Sequence, residues 1–206
     1  MTTPEQIASA YGLTLAQARK VEDIAFRLGV DGSWLAALIW FESKFKPAQK
    51  GPGTAYGLGQ FTAIALQELG VTRAQLEAMG FDEQMELLYR HLTARKKQAT
   101  NLVDFVMIHF YPKAFGKPDM TFPAWVTEAN PGIRTPRDYV KKMVAQARLP
   151  LAEGLPVYPF VGPPMLAPVV ESFGTPSRDG WVFWFNVAGM AFFATALVVS
   201  ARRLLR

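Results

Sequence analysis

The sequence predicts a mainly α-helical domain followed by one hydrophobic helix that crosses a membrane. Residues 1–148 contain a succession of short helical patterns, and no stretch among them alternates between apolar and polar residues over the length of a strand. Residues 181–200 contain no charged side chain, and about 20 apolar residues in an α-helix match the thickness of a bilayer core. We therefore expect four regions: a head domain over 1–148, a proline-rich linker over 149–180, a transmembrane helix over 181–200 and a basic tail over 201–206.

Helix starts in the head domain are marked by residues that cap a first turn. Thr3 precedes a proline, which is favoured at the first helical position. We expect Thr14 to cap a helix that runs through Leu28, and Asp31 to cap the helix that carries Glu42. Further starts are expected near Thr62, Thr72, Asp82 and Thr135, and two helices are expected to stop at Gly70 and Gly80.

The segment 149–180 holds seven prolines, each of which fixes φ and removes a backbone donor. Such a composition favours an extended spacer. The apolar run 181–200 begins with Trp181 and is followed by Arg202 and Arg203, an arrangement typical of the two membrane interfaces. A buried core helix is the alternative for this run, but core helices rarely extend so far without a charge.

The orientation in the membrane has two interpretations. The arginines of the tail outnumber the charges just before the apolar run, so the positive-inside rule places the tail in the cytoplasm and the head outside. A single C-terminal anchor without a signal peptide would instead leave the head in the cytoplasm, and the N-terminal residues contain no apolar run of signal-peptide length. The expected locations are the inner membrane of a phage virion or a bacterial envelope membrane.

Composition argues against several classes of function. The absence of cysteine excludes disulfides and thiolate metal sites, and two histidines without an HExxH pattern argue against zinc. No glycine loop of the phosphate-binding type is present. The net charge of +5 comes from basic residues scattered through helices, without the aromatic interleaving typical of nucleic-acid binding. We expect no metal, no cofactor and no nucleic-acid partner.

One acid lies on an apolar helical face. On a helix over 31–46, Glu42 shares a face with Leu35, Leu38 and Ile39. Partial burial favours the neutral form of a carboxyl, and a protonated carboxyl can act as the general acid that protonates a glycosidic oxygen. The alternative is a glutamate at the end of the stripe that is solvated or paired with one of the lysines that follow it.

A loop rich in glycine and proline follows this acid. Glycine lets a backbone approach a ligand closely, and the amide of Gln60 can both donate and accept hydrogen bonds to sugar groups. The pattern Glu42-Ser43-x-Phe45-x-Pro47, followed by Ala55-x-Gly57-Leu58-x-Gln60, resembles the signature of the lysozyme-like lytic transglycosylases, the soluble transglycosylase and goose-type lysozyme superfamily.

The resemblance implies a lysozyme-like helical fold and a peptidoglycan substrate, with Glu42 as the catalytic acid and base. It further implies that Ser43 forms a hydrogen bond near the substrate cleft. Gln60, together with Tyr56 and Gly57, is then expected to contact the sugar chain.

The resemblance departs from the family pattern further along the chain. Family members carry a helix that ends in Tyr-Asn-Ala-Gly, and the tyrosine points at the catalytic acid. Here Tyr111 takes the tyrosine position and Pro112 stands where the asparagine belongs. His109 is a candidate second polar group in the cleft, with a hydrogen-bonded histidine at a helix end as the alternative. The segment 122–140 resembles the tail of phage members, and the resemblance as a whole covers residues 15–148.

No second acid lies in a comparable motif, and a lone acid suits the family's reaction. The resemblance thus implies a lytic transglycosylase that cuts the β-1,4 bond between N-acetylmuramic acid and N-acetylglucosamine for local penetration of the cell wall during phage entry. The alternatives are a hydrolytic muramidase (lysozyme) and a non-catalytic structural membrane protein of a virion with a glycan-binding head. Expected partners are peptidoglycan, membrane lipid through 181–200, and proteins of the virion membrane or capsid vertex.

Overall fold

The computed structural model describes residues 2–151, and this part of the chain is mainly α-helical. The prediction of a mainly α-helical head is therefore confirmed, whereas the predicted transmembrane helix over 181–200 lies outside the described residues, as does nearly all of the predicted linker. Within the described residues there are nine α-helices and no strand: α1 Pro4–Tyr11, α2 Leu15–Leu28, α3 Gly32–Ser43, α4 Ala63–Leu69, α5 Arg73–Ala78, α6 Phe81–Thr93, α7 Leu102–Phe110, α8 Ala124–Ala129 and α9 Pro136–Val144.

Most of these helices begin at the capping residue that the sequence predicts. The hydroxyls of Thr3 and Thr14 each accept a hydrogen bond from the backbone N–H of the glutamine three positions later. The carboxylate of Asp31 accepts the backbone N–H of Ser33 at 2.8 Å and so caps α3. The same role falls to Thr62 for α4, Thr72 for α5 and Thr135 for α9.

The boundary between α5 and α6 differs slightly from the prediction. Gly80 is the cap residue of α6, and α5 already ends at Ala78. Asp82 therefore lies inside the first turn of α6, where an acid interacts favourably with the exposed N–H groups. The backbone N–H of Gly80 is satisfied by the Glu83 carboxylate at 2.8 Å, which replaces the predicted cap.

Helix α3 is the central element of the fold. It packs against α1, α2 and α9, and every residue in it except Trp40 is buried. The predicted apolar stripe is therefore too narrow a description, because the helix is enclosed on nearly all sides. A helix that is apolar all round is the kind that forms a core.

Further contacts between helices connect α2 to α9. Helix α2 also packs against α6, which in turn contacts α4 and α7, and α7 packs against α9. Glu42 lies in the last turn of α3, at the side where α7 and α9 approach the central helix. This arrangement brings side chains from three distant parts of the sequence to one carboxyl group.

The chain segment after α9 returns to the N-terminal helices. The backbone N–H of Arg148 donates to the hydroxyl of Tyr11 at 3.3 Å, and the Arg148 guanidinium lies 4.0 Å from the ring centroid of Trp40. Leu149 and Leu151 are partly buried against the core. The first residues of the predicted linker thus pack against the same core as the helices.

Between residues 2 and 151, no single helix has the length and apolar composition needed to cross a membrane. Helices α2 and α3 together meet that requirement by length and composition only, as a pair bent by 115°.

Candidate active site

Glu42 is a buried carboxyl at the end of the central helix. Its side chain has no solvent-exposed surface, although Glu is among the residues least often buried completely. One carboxylate oxygen, Oε1, accepts a hydrogen bond from the Tyr139 hydroxyl at 3.3 Å. The Nε2 atom of His109 lies 3.5 Å from the same oxygen. The prediction that Glu42 faces inward is therefore confirmed.

The second carboxylate oxygen of Glu42 has a different environment. Oε2 is buried and has no hydrogen-bond partner among the described residues. Buried polar atoms are nearly always hydrogen-bonded, because an unmade bond costs the full desolvation energy of the group. The two oxygens of one carboxyl are thus unequal: Oε1 is held by the protein, and Oε2 has no partner among the described residues.

The other two buried carboxylates of the described residues lie at helix starts and accept hydrogen bonds there. Asp31 accepts hydrogen bonds from Thr2 and Ser33 at the start of α3. Asp104 accepts the backbone N–H of Gly116 at 2.8 Å with Oδ1 and the amide of Asn101 at 2.9 Å with Oδ2. Glu42 differs from Asp104, whose two oxygens both accept hydrogen bonds, because Oε2 of Glu42 is buried without a partner among the described residues.

Lys44 is the nearer of the two lysines that could pair with Glu42. Its ammonium group instead donates to Oε1 of Gln146 at 3.1 Å and lies 4.8 Å from the ring centroid of Trp40. The ion pairs of the described residues do not join Glu42 to a lysine. The alternative of a solvated or lysine-paired glutamate is therefore wrong.

Tyr139 is held rigidly at its contact with Glu42. Its ring stacks on Phe110 with centroids 3.9 Å apart and meets the Phe41 ring edge-on at 5.4 Å. Burial, together with the neighbouring Glu42 charge, raises the pKa of the Tyr139 phenol well above its ordinary value. The phenol therefore keeps its proton and acts as a donor to Glu42.

His91 lies behind His109. The two imidazole rings meet edge-on with centroids 5.4 Å apart, and the Phe61 ring contacts His91 in the same manner at 5.9 Å. Burial lowers the pKa of His91 well below its ordinary value, and the charges of His109 and Arg95 add to this shift. His91 is accordingly neutral at physiological pH, and its uncharged ring packs against His109.

The glycine-rich loop is a compact structure between α3 and α4. Gln60 adopts a left-handed backbone with φ 47°, which is strained for a residue other than glycine. Its side-chain amide donates to the carbonyl oxygens of Gly57 at 3.0 Å and Gln49 at 3.2 Å. A Cβ atom at Gly51 would lie 1.8 Å from Gln60 Oε1, so only glycine fits there. Gln60 thus holds the loop closed, with its N–H donors already used.

Gln84 anchors this loop to α6. Its Oε1 accepts the backbone N–H of Leu58 at 2.8 Å, and its Nε2 donates to the carbonyl oxygens of Pro47 and Met79 at 3.0 and 3.2 Å. Gly57 has φ +80°, and a Cβ atom there would lie 2.5 Å from Gln84 Oε1. The glycine of the motif is required both by its backbone conformation and by this buried amide.

The remaining predicted site residues have other contacts. The Ser43 hydroxyl donates to the carbonyl oxygen of Ile39, one turn earlier in the same helix, at 3.1 Å. The Tyr111 ring packs edge-on against Phe122 at 5.5 Å and Trp125 at 5.8 Å. It is Tyr139, not Tyr111, whose hydroxyl contacts Glu42.

Tyr56 lies at the centre of the loop, where its backbone pairs with Phe61 and with Lys50 in isolated bridges. The Arg73 guanidinium lies 4.0 Å from the ring centroid of Tyr56. A chain of ring contacts joins the loop to the surroundings of Glu42: Phe61 contacts His91, and His91 contacts His109. Of the predicted site residues, the structure brings His109 within 3.5 Å of Glu42.

Sequence reasoning missed three residues of this site: Tyr139, Gln84 and His91. Tyr139 lies in the first turn of a correctly predicted helix, but nothing in that helix indicates a contact with a residue 97 positions earlier. Gln84 is a fully buried amide on an otherwise ordinary amphipathic helix. A polar residue on the apolar face of α6 is the signal that could have identified it.

Within residues 2–151, no group of three or more His, Asp or Glu side chains is arranged to hold a metal ion. A surface concavity lies at the opposite end of α3 from Glu42, between Thr2, Glu22 and Phe26. Gly32, at that end, is ten residues from Glu42, which is about 15 Å along a helix axis.

Comparison of the chain with protein-family models, with curated proteins and with solved structures found no match.

Proposed function

We propose that this chain is a lysozyme-like peptidoglycan lytic transglycosylase that cleaves the β-1,4 bond between N-acetylmuramic acid and N-acetylglucosamine. Glu42 is the general acid and base. The observation that carries the proposal is the unpaired Oε2 of Glu42, a fully buried carboxylate oxygen inside the motif that resembles the transglycosylase signature. The proposal includes a membrane anchor over 181–200, by which the head is delivered to the cell wall from a virion or envelope membrane.

The chemistry requires one carboxyl that gives a proton and takes it back. Glu42 protonates the glycosidic oxygen, the C1–O4 bond breaks, and the N-acetyl group of muramic acid assists the departure. The resulting carboxylate then accepts the proton of the muramic 6-hydroxyl as O6 bonds to C1 and closes an anhydro ring. Glu42 ends the cycle protonated, so no water and no cofactor are consumed.

The described carboxylates favour ring closure over hydrolysis. Inverting glycosidases need a second carboxylate that activates water on the far face of the sugar. Asp104, the buried candidate for that role, is hydrogen-bonded through both oxygens at the start of α7. The 6-hydroxyl needs no such help, because it is tethered beside C1 and has a large effective concentration.

Substrate access requires a movement. The Glu42 side chain has no exposed surface, so a sugar chain reaches Oε2 only after a neighbouring element shifts. Lid movements of this kind are common in enzymes that exclude water from the reacting centre.

The same burial favours a second candidate function. A glutamate enclosed on all sides also suits a non-catalytic head that binds glycan as part of a structural virion membrane protein. In that case Glu42 serves only the stability of the core, and the protein binds cell-wall material without cutting it.

Mass spectrometry of muropeptides tests these functions. Purified peptidoglycan is incubated with the full-length protein and, separately, with its Glu42→Gln variant. Products that end in 1,6-anhydromuramic acid, one water lighter than lysozyme products, and that depend on Glu42 support the transglycosylase. Reducing-end muramic acid would identify a hydrolase instead. Sedimentation with peptidoglycan in the absence of any released muropeptide would favour the non-catalytic head.

A further inference from the structure

We propose that Tyr139 and His109 are positioning residues that hold Oε1 of Glu42, so that Oε2 is the oxygen that exchanges the proton with the sugar. This inference rests on the proposed function. Neither residue is expected to touch the reacting atoms. The motif resemblance assigns the tyrosine that contacts the catalytic acid to position 111, but the Tyr111 ring packs against Phe122 and Trp125. We assign the contact with the acid to Tyr139 of α9 instead.

Two independent elements converge on the same atom. The Tyr139 hydroxyl comes from α9 and lies 3.3 Å from Oε1, and His109 Nε2 comes from α7 and lies 3.5 Å from it. Helices α7 and α9 pack against each other, and α9 also packs against α3. The three helices therefore fix the rotation of the carboxyl about its last bond, which a single donor would leave less constrained.

The donors are themselves held in place. The stacked Phe110 ring and the edge of Phe41 confine the Tyr139 ring, and the side chain of His109 is only 2% exposed. His91 lies against His109 as an uncharged ring and leaves Nε2 directed at Glu42. The Glu42 carboxyl thus has a fixed orientation, and its side chain has no exposed surface.

The asymmetry assigns a different task to each oxygen. Donors at Oε1 stabilise the negative charge that forms when the proton leaves, which supports the acid step of the reaction. Oε2 faces no donor among the described residues, so the proton of the neutral acid belongs on Oε2. From there it is transferred to the glycosidic oxygen and later recovered from the 6-hydroxyl. A purely structural carboxyl would be expected to have both oxygens satisfied.

The test compares variants of the full-length protein in detergent. Tyr139→Phe removes the hydroxyl and keeps the ring, and His109→Leu removes the nitrogen donor. His109→Gln places an amide N–H at a similar reach and serves as the rescue variant. Tyr11→Phe is the matched control, because it removes a buried tyrosine hydroxyl whose contact is the Arg148 backbone.

We expect Tyr139→Phe and His109→Leu each to lower kcat about tenfold with little change in KM, since the lost interaction acts on the reacting carboxyl rather than on sugar binding. His109→Gln should recover most of the rate, and Tyr11→Phe should keep it.

A spectroscopic readout tests the contact without enzymatic activity. The infrared carbonyl band of protonated Glu42, isolated as the difference between wild type and Glu42→Gln, should shift to higher frequency in Tyr139→Phe as the hydrogen bond to Oε1 is lost. An unshifted band in both Tyr139→Phe and His109→Leu would overturn the inference, as would wild-type kinetics in both. If the wild type releases no muropeptides, the proposed function fails, and the band still decides whether these residues hold Oε1.

Discussion

The side-chain amide of Gln84 in α6 accepts a hydrogen bond of 2.8 Å from the backbone N–H of Leu58, 26 positions earlier in the glycine loop. The same amide donates to the carbonyl oxygens of Pro47 and Met79, so one buried side chain joins three separate segments. A loop rich in glycine loses much conformational entropy when it becomes ordered. Gln84 offsets part of that cost because it satisfies backbone groups that would otherwise be buried without partners.

The first prediction separates the contribution of the Gln84–Leu58 hydrogen bond to stability from the effect of backbone strain at glycine. Gly57 and Gly53 both have positive φ, at +80° and +61°, but only at Gly57 would a Cβ atom collide with Gln84. Gly53→Ala should therefore lower the free energy of unfolding by about 1 kcal/mol from strain alone. Gly57→Ala should lower it by about 2–4 kcal/mol, since the Gln84–Leu58 hydrogen bond is lost as well. Urea denaturation measures both, and equal losses would mean that Gln84 moves aside at no cost.

The second prediction concerns the acid itself. Glu42→Gln keeps the shape of the side chain but has no transferable proton, so cell-wall cleavage should fall by about 10²-fold or more. The helical signal in circular dichroism should be unchanged. Glu77→Gln is the matched control, because Glu77 is an exposed residue whose ion pair with Arg73 lies on the surface.

Asp104→Asn complements this comparison. It should weaken the start of α7, where Asp104 accepts hydrogen bonds, and it should leave the anhydro products unchanged. Loss of the anhydro products in Asp104→Asn, in protein that remains folded, would mean that the reaction uses two carboxylates.

The third prediction is a pH dependence of stability. Hydrogen bonds from Arg27, supported by Lys20, lower the pKa of Glu86 from its ordinary 4.5 to about 2. The folded-state pKa is depressed, so the contribution of Glu86 is present above pH 4.5 and is lost as the pH falls toward about 2. Because the Glu86 side chain is 42% exposed, we expect only about 1 kcal/mol after solvent screening.

The measurement is the difference in unfolding free energy between wild type and Glu86→Gln across this pH range. The difference should shrink steadily between pH 4.5 and about 2. It should also shrink when salt is added, because exposed ion pairs are screened. A difference that stays constant with pH would show that the cluster joining α2 and α6 is held by packing rather than by charge.

The fourth prediction concerns where the head can be cut. A shortened chain that ends at Leu151 should fold alone and keep the helical signal, since the described residues form their own core. A chain that ends at Arg148 lacks Leu149 and Leu151, which are partly buried against that core. It should fold as well, with a free energy of unfolding lower by about 1–2 kcal/mol from the lost apolar contact. Equal thermal midpoints would place the domain boundary at 148.

Local features of the fold follow directly from the sequence. Caps such as Thr14 and Asp31 act within three residues of their own position, so the helix starts are visible without any tertiary information. The inward direction of Glu42 is predictable for the same reason, because its neighbours on the helix are apolar. The series of helices in residues 2–151 is therefore largely predictable from the sequence, whereas the packing arrangement of those helices is not.

The surroundings of Glu42 depend on that arrangement. The contact with Tyr139 joins residues 97 positions apart, and α8 between them was not predicted as a separate helix. The periodicity of α9 marks Tyr139 as a core residue, but an apolar face gives no information about a hydroxyl at its tip. The motif resemblance placed a tyrosine at position 111, and the packing of three helices decided which tyrosine reaches the acid.

The contacts that Arg148 makes with Tyr11 and Trp40 have a mechanical consequence. Tension applied to the chain beyond Leu151 first loads the contacts of Arg148 with Tyr11 and Trp40, which belong to α1 and α3. The pull is therefore transmitted to α1 and α3, which lie early in the sequence. Tyr139 therefore keeps its contact with Oε1 of Glu42 while the chain end is under load, because the force acts on α1 and α3 before it reaches α9.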